Sequence, residues 1–432
     1  TNNGLANGEG SPEEPMRDIQ DGIDAAEEGD TVLVLPGTYD RNDDQNLKFE
    51  YTSNNSPKHI VLMSRGGPDS TIIDCEGNET AFDISHGTDT TLQIIGFNII
   101  NGWAQDQNSG AAIKIEGYDF NGPTNSQAVF ENCIIEDNDG HGPTVYIAGG
   151  MGIFRDCVIR NNRRAYDENV GDASHGGAFH VTSLNYGPNG YNVGVLVLDR
   201  SKVLSNFLDN TDTGGMGVEL KGAGIRVNEA RAIIRNSLIA DNYFTGTSTS
   251  WSRGAGISVY NGNIALINST VSGNEGFTGN YGSGLIVNDN FSSFEHFSRD
   301  IIILNSIIAD NTPSADQFFI GDPGGGNPNT DYTAMYNSIF ENGSGESWFD
   351  PDDGHYDFDP LFADSTYTLS EYSHAIGRGG TSIEDADEND LLAPSVDLLG
   401  NPRPNPAGSN PDIGAYEHVL SDYRRSVYYV DD

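Results

Sequence analysis

Ile234-Arg235-Asn236-Ser237-Leu238-Ile239-Ala240-Asp241-Asn242 decides the fold, because the chain repeats it. Close variants occupy 131–138, 155–162, 268–274, 305–311 and 337–342, and weaker relatives end at Asn101 and Asn206. The closing asparagines are Asn101, Asn138, Asn162, Asn206, Asn242, Asn274, Asn311 and Asn342, in steps of 24 to 44 residues. A period in that range with variable insertions is the mark of a stacked solenoid. Upstream of each copy lies a second landmark, as in Gly222-Ala223-Gly224-Ile225-Arg226-Val227 and Gly254-Ala255-Gly256-Ile257-Ser258-Val259. Ile225 and Val227 alternate with Arg226, the period of a strand with one buried face. A unit of two or three short strands cannot bury its apolar side alone, and stacking units in parallel register solves that. The predicted fold is all-β: a right-handed parallel β-helix, the hand following the general preference of parallel crossovers.

The closing asparagines, among them Asn138, Asn162, Asn242, Asn274 and Asn311, are predicted to lie above one another at a corner and exchange amide hydrogen bonds. Cys133 and Cys157 hold the place where other copies have Ser, so they are expected to be stacked neighbours, either packed thiols or a disulfide. No Cys-x-x-Cys spacing occurs to favour zinc or redox chemistry.

Sixty-four acidic against 22 basic residues give a net charge of −42, which argues against nucleic acid or anionic membranes as partners. No apolar run is long enough to insert in a membrane. A saline extracellular or cell-surface setting would screen the self-repulsion. The chain opens at Thr1 without a leader, which reads as a processed or excised piece.

Taken in order, 1–40 form an N-terminal lid, with a helix over about 15–27 (Met16, Ile19, Ile23 and Ala26 at helical spacing) and a strand at Thr31-Val32-Leu33-Val34-Leu35. Coils fill 41–345, and insertions near 163–175, 182–193, 207–221, 243–253 and 275–281 carry aromatics on one edge. A C-terminal cap spans 346–420 and a terminal strand 421–432. In the cap, Asp350, Asp352, Asp353, Asp357 and Asp359 crowd one loop, and calcium is the cation such a loop would take; no other cofactor is implied. Sequons at Asn54, Asn78, Asn268, Asn290 and Asn342 permit glycosylation.

Asp397-Leu398-Leu399-Gly400-Asn401-Pro402-Arg403 and Asp412-Ile413-Gly414-Ala415-Tyr416-Glu417 resemble the closing signature of secreted right-handed parallel β-helix proteins, including the choice-of-anchor Q domain family. The lid segments Ile19-Gln20-Asp21-Gly22-Ile23 and Gly29-Asp30-Thr31-Val32 are similar to the same proteins. Arg403 with Asp412 or Glu417 reads as a structural ion pair of the cap. The resemblance implies fold and surface location, not activity. It also implies that a Tyr-Tyr-Val-Asp strand should precede the lid, whereas here Val427-Tyr428-Tyr429-Val430 comes last. Joining the last residue to the first restores the usual order. The leading expectation is therefore a structural subunit whose partners are copies of itself, either in tandem or head to tail through the donated strand. A polysaccharide lyase or glycoside hydrolase is one alternative and a carbohydrate-binding adhesin another, both with polysaccharide as partner. Asp139-Gly140-His141-Gly142 resembles one fragment of a polygalacturonase signature whose other fragments are missing. Lys114, Lys221 and Arg226 are outward candidates for lyase chemistry, although they are expected to stand among acids.

Overall fold

A computed structural model of the chain describes residues 8–40, 44–50, 56–119, 122–165, 175–185, 191–211, 219–246, 252–277, 282–288, 300–313, 317–321, 332–344, 346–384 and 389–425. It is a right-handed parallel β-helix. The described strands form three long sheets of ten, eleven and eight strands, parallel throughout. One full coil runs Arg231–Arg235 in the first sheet, Leu238–Ala240 in the second, Tyr243–Thr245 at a short side sheet, and Ile257–Tyr260 in the third.

The founding repeat encodes two corners, not one. Asn236 (φ 48°) turns the chain from first to second sheet and Asp241 (φ 57°) turns it out of the second. The same two places take left-handed backbone in neighbouring coils, at Asp156 and Asn161 and at Arg200 and Ser205. Short polar side chains tolerate that conformation, and the residue after each then points inward. After the first corner comes a ladder of Cys133, Cys157, Ser201, Ser237, Ser269, Ser306 and Ser338, in which Ser201 Oγ accepts from Cys157 N at 3.1 Å. Cys133 and Cys157 are free buried thiols there. After the second corner comes the asparagine ladder. Asn242 Nδ2 donates to Asn274 Oδ1 at 2.9 Å, while its Oδ1 accepts from Asn206 N and Nδ2. Asn138, Asn162, Asn274 and Asn311 make the same bonds, and Gln317 replaces asparagine at the last rung.

Inside, Phe130 stacks on Phe154 at 5.0 Å and Phe154 meets Phe179 edge-on at 5.1 Å. These rings fill the coil with Ile, Leu and Val from all three sheets. The ends are closed differently. The lid helix is shorter than its apolar spacing predicts, Ile19–Ala25, because Asp18 is extended and Ile19 N donates to Asp44 instead of entering a helical turn. Lys58, buried, donates from Nζ to the carbonyls of Ile23 and Asp24 and satisfies that helix end. At the other end Trp348 packs on Phe318 and Phe340.

Two parts of the chain differ from expectation. Segments read as insertions include regular stacked strands: Arg163–Ala165, Phe207–Asp209 and Tyr243–Thr245 pair in register, and Phe207 stacks on Tyr243 at 5.0 Å. The segment that carries Ala375, Leu398 and Ile413 to Tyr416 folds back over the outer face of the second sheet, with Gly414 N donating to Asn305 O and Ala415 N to Thr270 Oγ1. On that face Leu238, Ala240, Ile307, Ala309 and Ile339 point away from the interior, and the fold-back buries them.

Candidate functional site

Two places hold features that the stack itself does not consume. The first is the open edge of the first sheet. Among the described residues Thr31–Val34 pairs with Val61–Ser64 alone, on one side. Asp30 and Val34 carbonyls accept from Val61 N and Arg65 N, so by strand parity the backbone groups of Leu33 face away from the sheet. Val34 is buried inward while Leu33 and Leu35 are 52 % and 37 % exposed. A groove of about 340 Å³ runs along this edge, walled by Met16, Gly22, Ala25 and Ala26 of the lid. An exposed apolar sheet edge is a template for another strand. The residues predicted to provide one, Val427, Tyr428, Tyr429 and Val430, lie outside the described residues.

The second is a basic cluster on the outer face of the third sheet. Register places Tyr146, His180, Arg226 and Ser258 on successive rungs. Bridges just upstream align His175, Lys221 and Arg253 on the last three of these four coils. Arg164 joins from the side sheet, its guanidinium donating to the carbonyls of His141 and His175. Arg164, Arg226 and Arg253 are 3 %, 4 % and 7 % exposed, buried although they point out of the coil. Arg226 donates to Ser258 Oγ at 2.7 Å and lies over the Tyr260 ring. Burial, then Arg253, lowers the Arg226 guanidinium to about 10. Burial and the surrounding cations hold His175 and His180 well below the ordinary imidazole range, so both are neutral at pH 7. Lys221, also lowered by burial and Arg226, pairs with Glu219.

This corrects the expectation for Arg226, which stands among cations. Lys114 does stand among acids, paired with Glu116 at 2.8 Å. Asp139 and His141 of the polygalacturonase-like fragment are structural: Asp139 pairs with Arg163 and His141 packs edge-on against Trp103.

In the acidic loop three carboxylates accept from backbone N–H groups. Asp350 caps a short turn by accepting from Asp352 N, Asp357 accepts from Asn342 N and Ser344 N, and Asp359 accepts from Leu361 N. Asp352 and Asp353 are exposed. Among the described residues no group of three or more His, Cys, Asp or Glu side chains that could hold a metal ion is gathered. Of the sequons, Asn78 and Asn342 are exposed and Asn54 and Asn290 lie outside the described residues. Asn268 is a correction: it is fully buried at a corner, donating to Asp412 O, with no room for a glycan. Arg403 Nε lies 3.5 Å from Glu417, both buried, and its Nη groups donate to the carbonyls of Asp412, Gly414 and Ala415.

No family model matches the chain, and no curated protein matches it. Solved structures do resemble it. Pectate lyase Pel9A is 14 % identical over 96 % of this chain and 94 % of that one, with a TM-score of 0.41. XylC, solved with xylose, is 11 % identical over 97 % and 98 %, with a TM-score of 0.38. A family PL6 polysaccharide lyase from Pseudopedobacter saltans is 12 % identical over 82 % and 93 %, with a TM-score of 0.30. At such identities the neighbours' substrates say nothing about this chain's. The class its own strand register defines is the right-handed parallel β-helix; membership of the choice-of-anchor Q family finds no support among these relatives. No described helix is long and apolar enough to cross a membrane.

Proposed function

We propose that the chain is a structural surface subunit that associates with copies of itself, a strand containing Val427, Tyr428, Tyr429 and Val430 adding to the open edge of Thr31–Val34 in the next copy. The observation that supports this is the apolar edge and its groove, which leave Leu33 and Leu35 facing water. A head-to-tail contact of this kind that does not close makes a filament, whether of separate chains or of tandem units of one. The net charge of −42 keeps such filaments from sticking side by side.

Electron micrographs of purified protein are expected to show filaments, and Leu33→Glu to abolish them by setting a carboxylate on the edge and against Asp431 and Asp432. Deleting residues 426–432 should do the same, and a peptide of those residues should shorten wild-type filaments. Monodisperse wild type at 46.4 kDa on sizing, or unchanged filaments in either variant, would sink the proposal.

The basic cluster supports a second reading, action on or binding of an acidic polysaccharide. It is compatible with the first, since cluster and edge lie on different sheets.

A further inference from the structure

We infer that Leu420 and Tyr423 form an anchor that roots the terminal strand at the far end of the solenoid and keeps it from pairing with its own chain, which presupposes the strand addition proposed above. A chain carrying both an open edge and a strand that fits it would otherwise close on itself and end assembly, because the local concentration of its own strand exceeds that of other copies.

The anchor is built from the cap. Tyr423 lies against His374, ring centroids 4.1 Å apart, and Arg378 stands over the rings of Tyr423 and Tyr356 at 5.7 and 5.4 Å. His374 in turn meets Phe358 edge-on at 5.4 Å. Leu420 and Tyr423 pack on the cluster that contains Ile307, Ile339 and Ile413. The backbone is held as well: Arg424 N donates to Glu371 O at 2.7 Å, and the Ser421 carbonyl runs so close to Gly377 that a Cβ there would not fit. The Arg424 guanidinium pairs with Glu371 at 2.9 Å, but this pair is exposed and contributes little. The rings carry the hold.

Reach then decides where the strand can go. Tyr356 belongs to the last of the eleven strands of the second sheet, and Gly37–Tyr39, on the same coil as the open edge, is the first. Ten spacings of about 4.8 Å separate them, roughly 48 Å along the axis. Val430 is five residues beyond Arg425, and an extended chain spans at most about 3.6 Å per residue, so it reaches roughly 18 Å. Strand and edge of one chain cannot meet, whereas a second copy stacked on this end brings its Thr31–Val34 within range.

Releasing the anchor reverses the outcome. The next fixed point is Glu417, buried against Arg403, two residues after Ala415 donates to Thr270 Oγ1. Thr270–Ser272 is the eighth strand of the second sheet, seven spacings or roughly 34 Å from the first. The thirteen residues from Glu417 to Val430 span up to about 47 Å, enough to reach the chain's own edge.

Mass photometry of the full chain at micromolar concentration tests this. Wild type should be assembled and Leu420→Ala/Tyr423→Ala monomeric, because its own strand, at roughly millimolar effective concentration, outcompetes other copies about a thousand-fold more dilute. A labelled peptide of residues 426–432 tells a self-paired monomer from an empty one. It should bind the monomer made by deleting 426–432, and bind the anchor variant at least ten-fold more weakly. A flexible Gly/Ser linker of about 60 residues inserted after Arg425 has an r.m.s. span of roughly 43 Å. It should give the same closed monomer with the anchor intact, and it decides the matter if circular dichroism finds the double variant unfolded. Anchor and linker variants that assemble like wild type, or monomers of them that bind the peptide as tightly as the deletion does, overturn the inference alone. Wild type that does not assemble, or assembly unmoved by Leu33→Glu, overturns strand addition and this inference with it.

Discussion

Replacing Asn242 by alanine is expected to remove about 3–5 kcal/mol of stability, because each buried group left without a partner costs about 1–3 kcal/mol. The asparagine side chain serves both neighbouring coils. Its Oδ1 accepts two bonds from Asn206, and its Nδ2 donates to Val203 O, Ala240 O and Asn274 Oδ1. Alanine strands the Asn206 amide and both carbonyls in a site with no water access, since Asn206 and Asn242 are fully buried. Asn101→Gly is the contrast. Asn101 is exposed, bonds Asp74 through its side chain and has φ 54°, which glycine adopts freely, so the change should stay within about 0.5 kcal/mol. Urea unfolding with unchanged slope measures both. A midpoint for Asn242→Ala matching that of Asn101→Gly would show that the ladder is decoration. A solenoid couples only neighbouring coils, so early hydrogen exchange should also appear at 203–206 and 272–274 before distant coils.

How far the sequence discloses this molecule follows from distance along the chain. Both corners of the repeat are local: a left-handed residue followed by an inward Ser or Asn recurs visibly, and the stack follows from it. The side sheet is harder to see. Arg163-Arg164-Ala165, Phe207-Leu208-Asp209 and Tyr243-Phe244-Thr245 have no residue in common at any aligned position, and stacking is what makes them alike. The fold-back of the C-terminal segment had a signal that alternation alone misses. Leu238-Ile239-Ala240 and Ile307-Ile308-Ala309 are apolar at every position, which means burial on both faces.

The basic cluster also left a trace. His175 and His180, then Lys221 and Arg226, repeat a pair of bases five residues apart around the glycine landmark of successive coils. Read singly they look like scattered charges on an acidic chain; read in register they coincide. By contrast, the crowd of aspartates at 350–359 is plain in the sequence, but proximity along the chain does not say where each carboxylate points. In space Asp350, Asp357 and Asp359 each accept from a backbone N–H.

Arg403→Met should cost about 3–5 kcal/mol at pH 8, the usual penalty for leaving buried charge unpaired, and far less at pH 5. Arg403 ties three carbonyls of the turn from Asp412 to Ala415 and sits against buried Glu417. Attraction does not dominate there. Burial first, then Glu417, pushes the Asp412 carboxyl up from 3.8 to about 7, and burial likewise raises Glu417 and lowers Arg403. For an acid whose folded pKa lies above its unfolded one, the stabilising contribution is complete below the unfolded value and is lost as pH rises through the folded value. The window for Asp412 is therefore pH 4 to 7. A shift of about three units corresponds to at most about 4 kcal/mol, and wild type should melt higher at pH 5 than at pH 8. Net charge acts in the same direction, since fewer ionised carboxylates repel one another less. The variant separates these effects. If Arg403 matters as the counter-charge of Asp412 and Glu417, protonating them removes most of the penalty, and only the three carbonyl bonds remain lost. Melting curves at both pH values decide it, because an equal loss at pH 5 and pH 8 would mean that Arg403 acts through its carbonyl bonds alone.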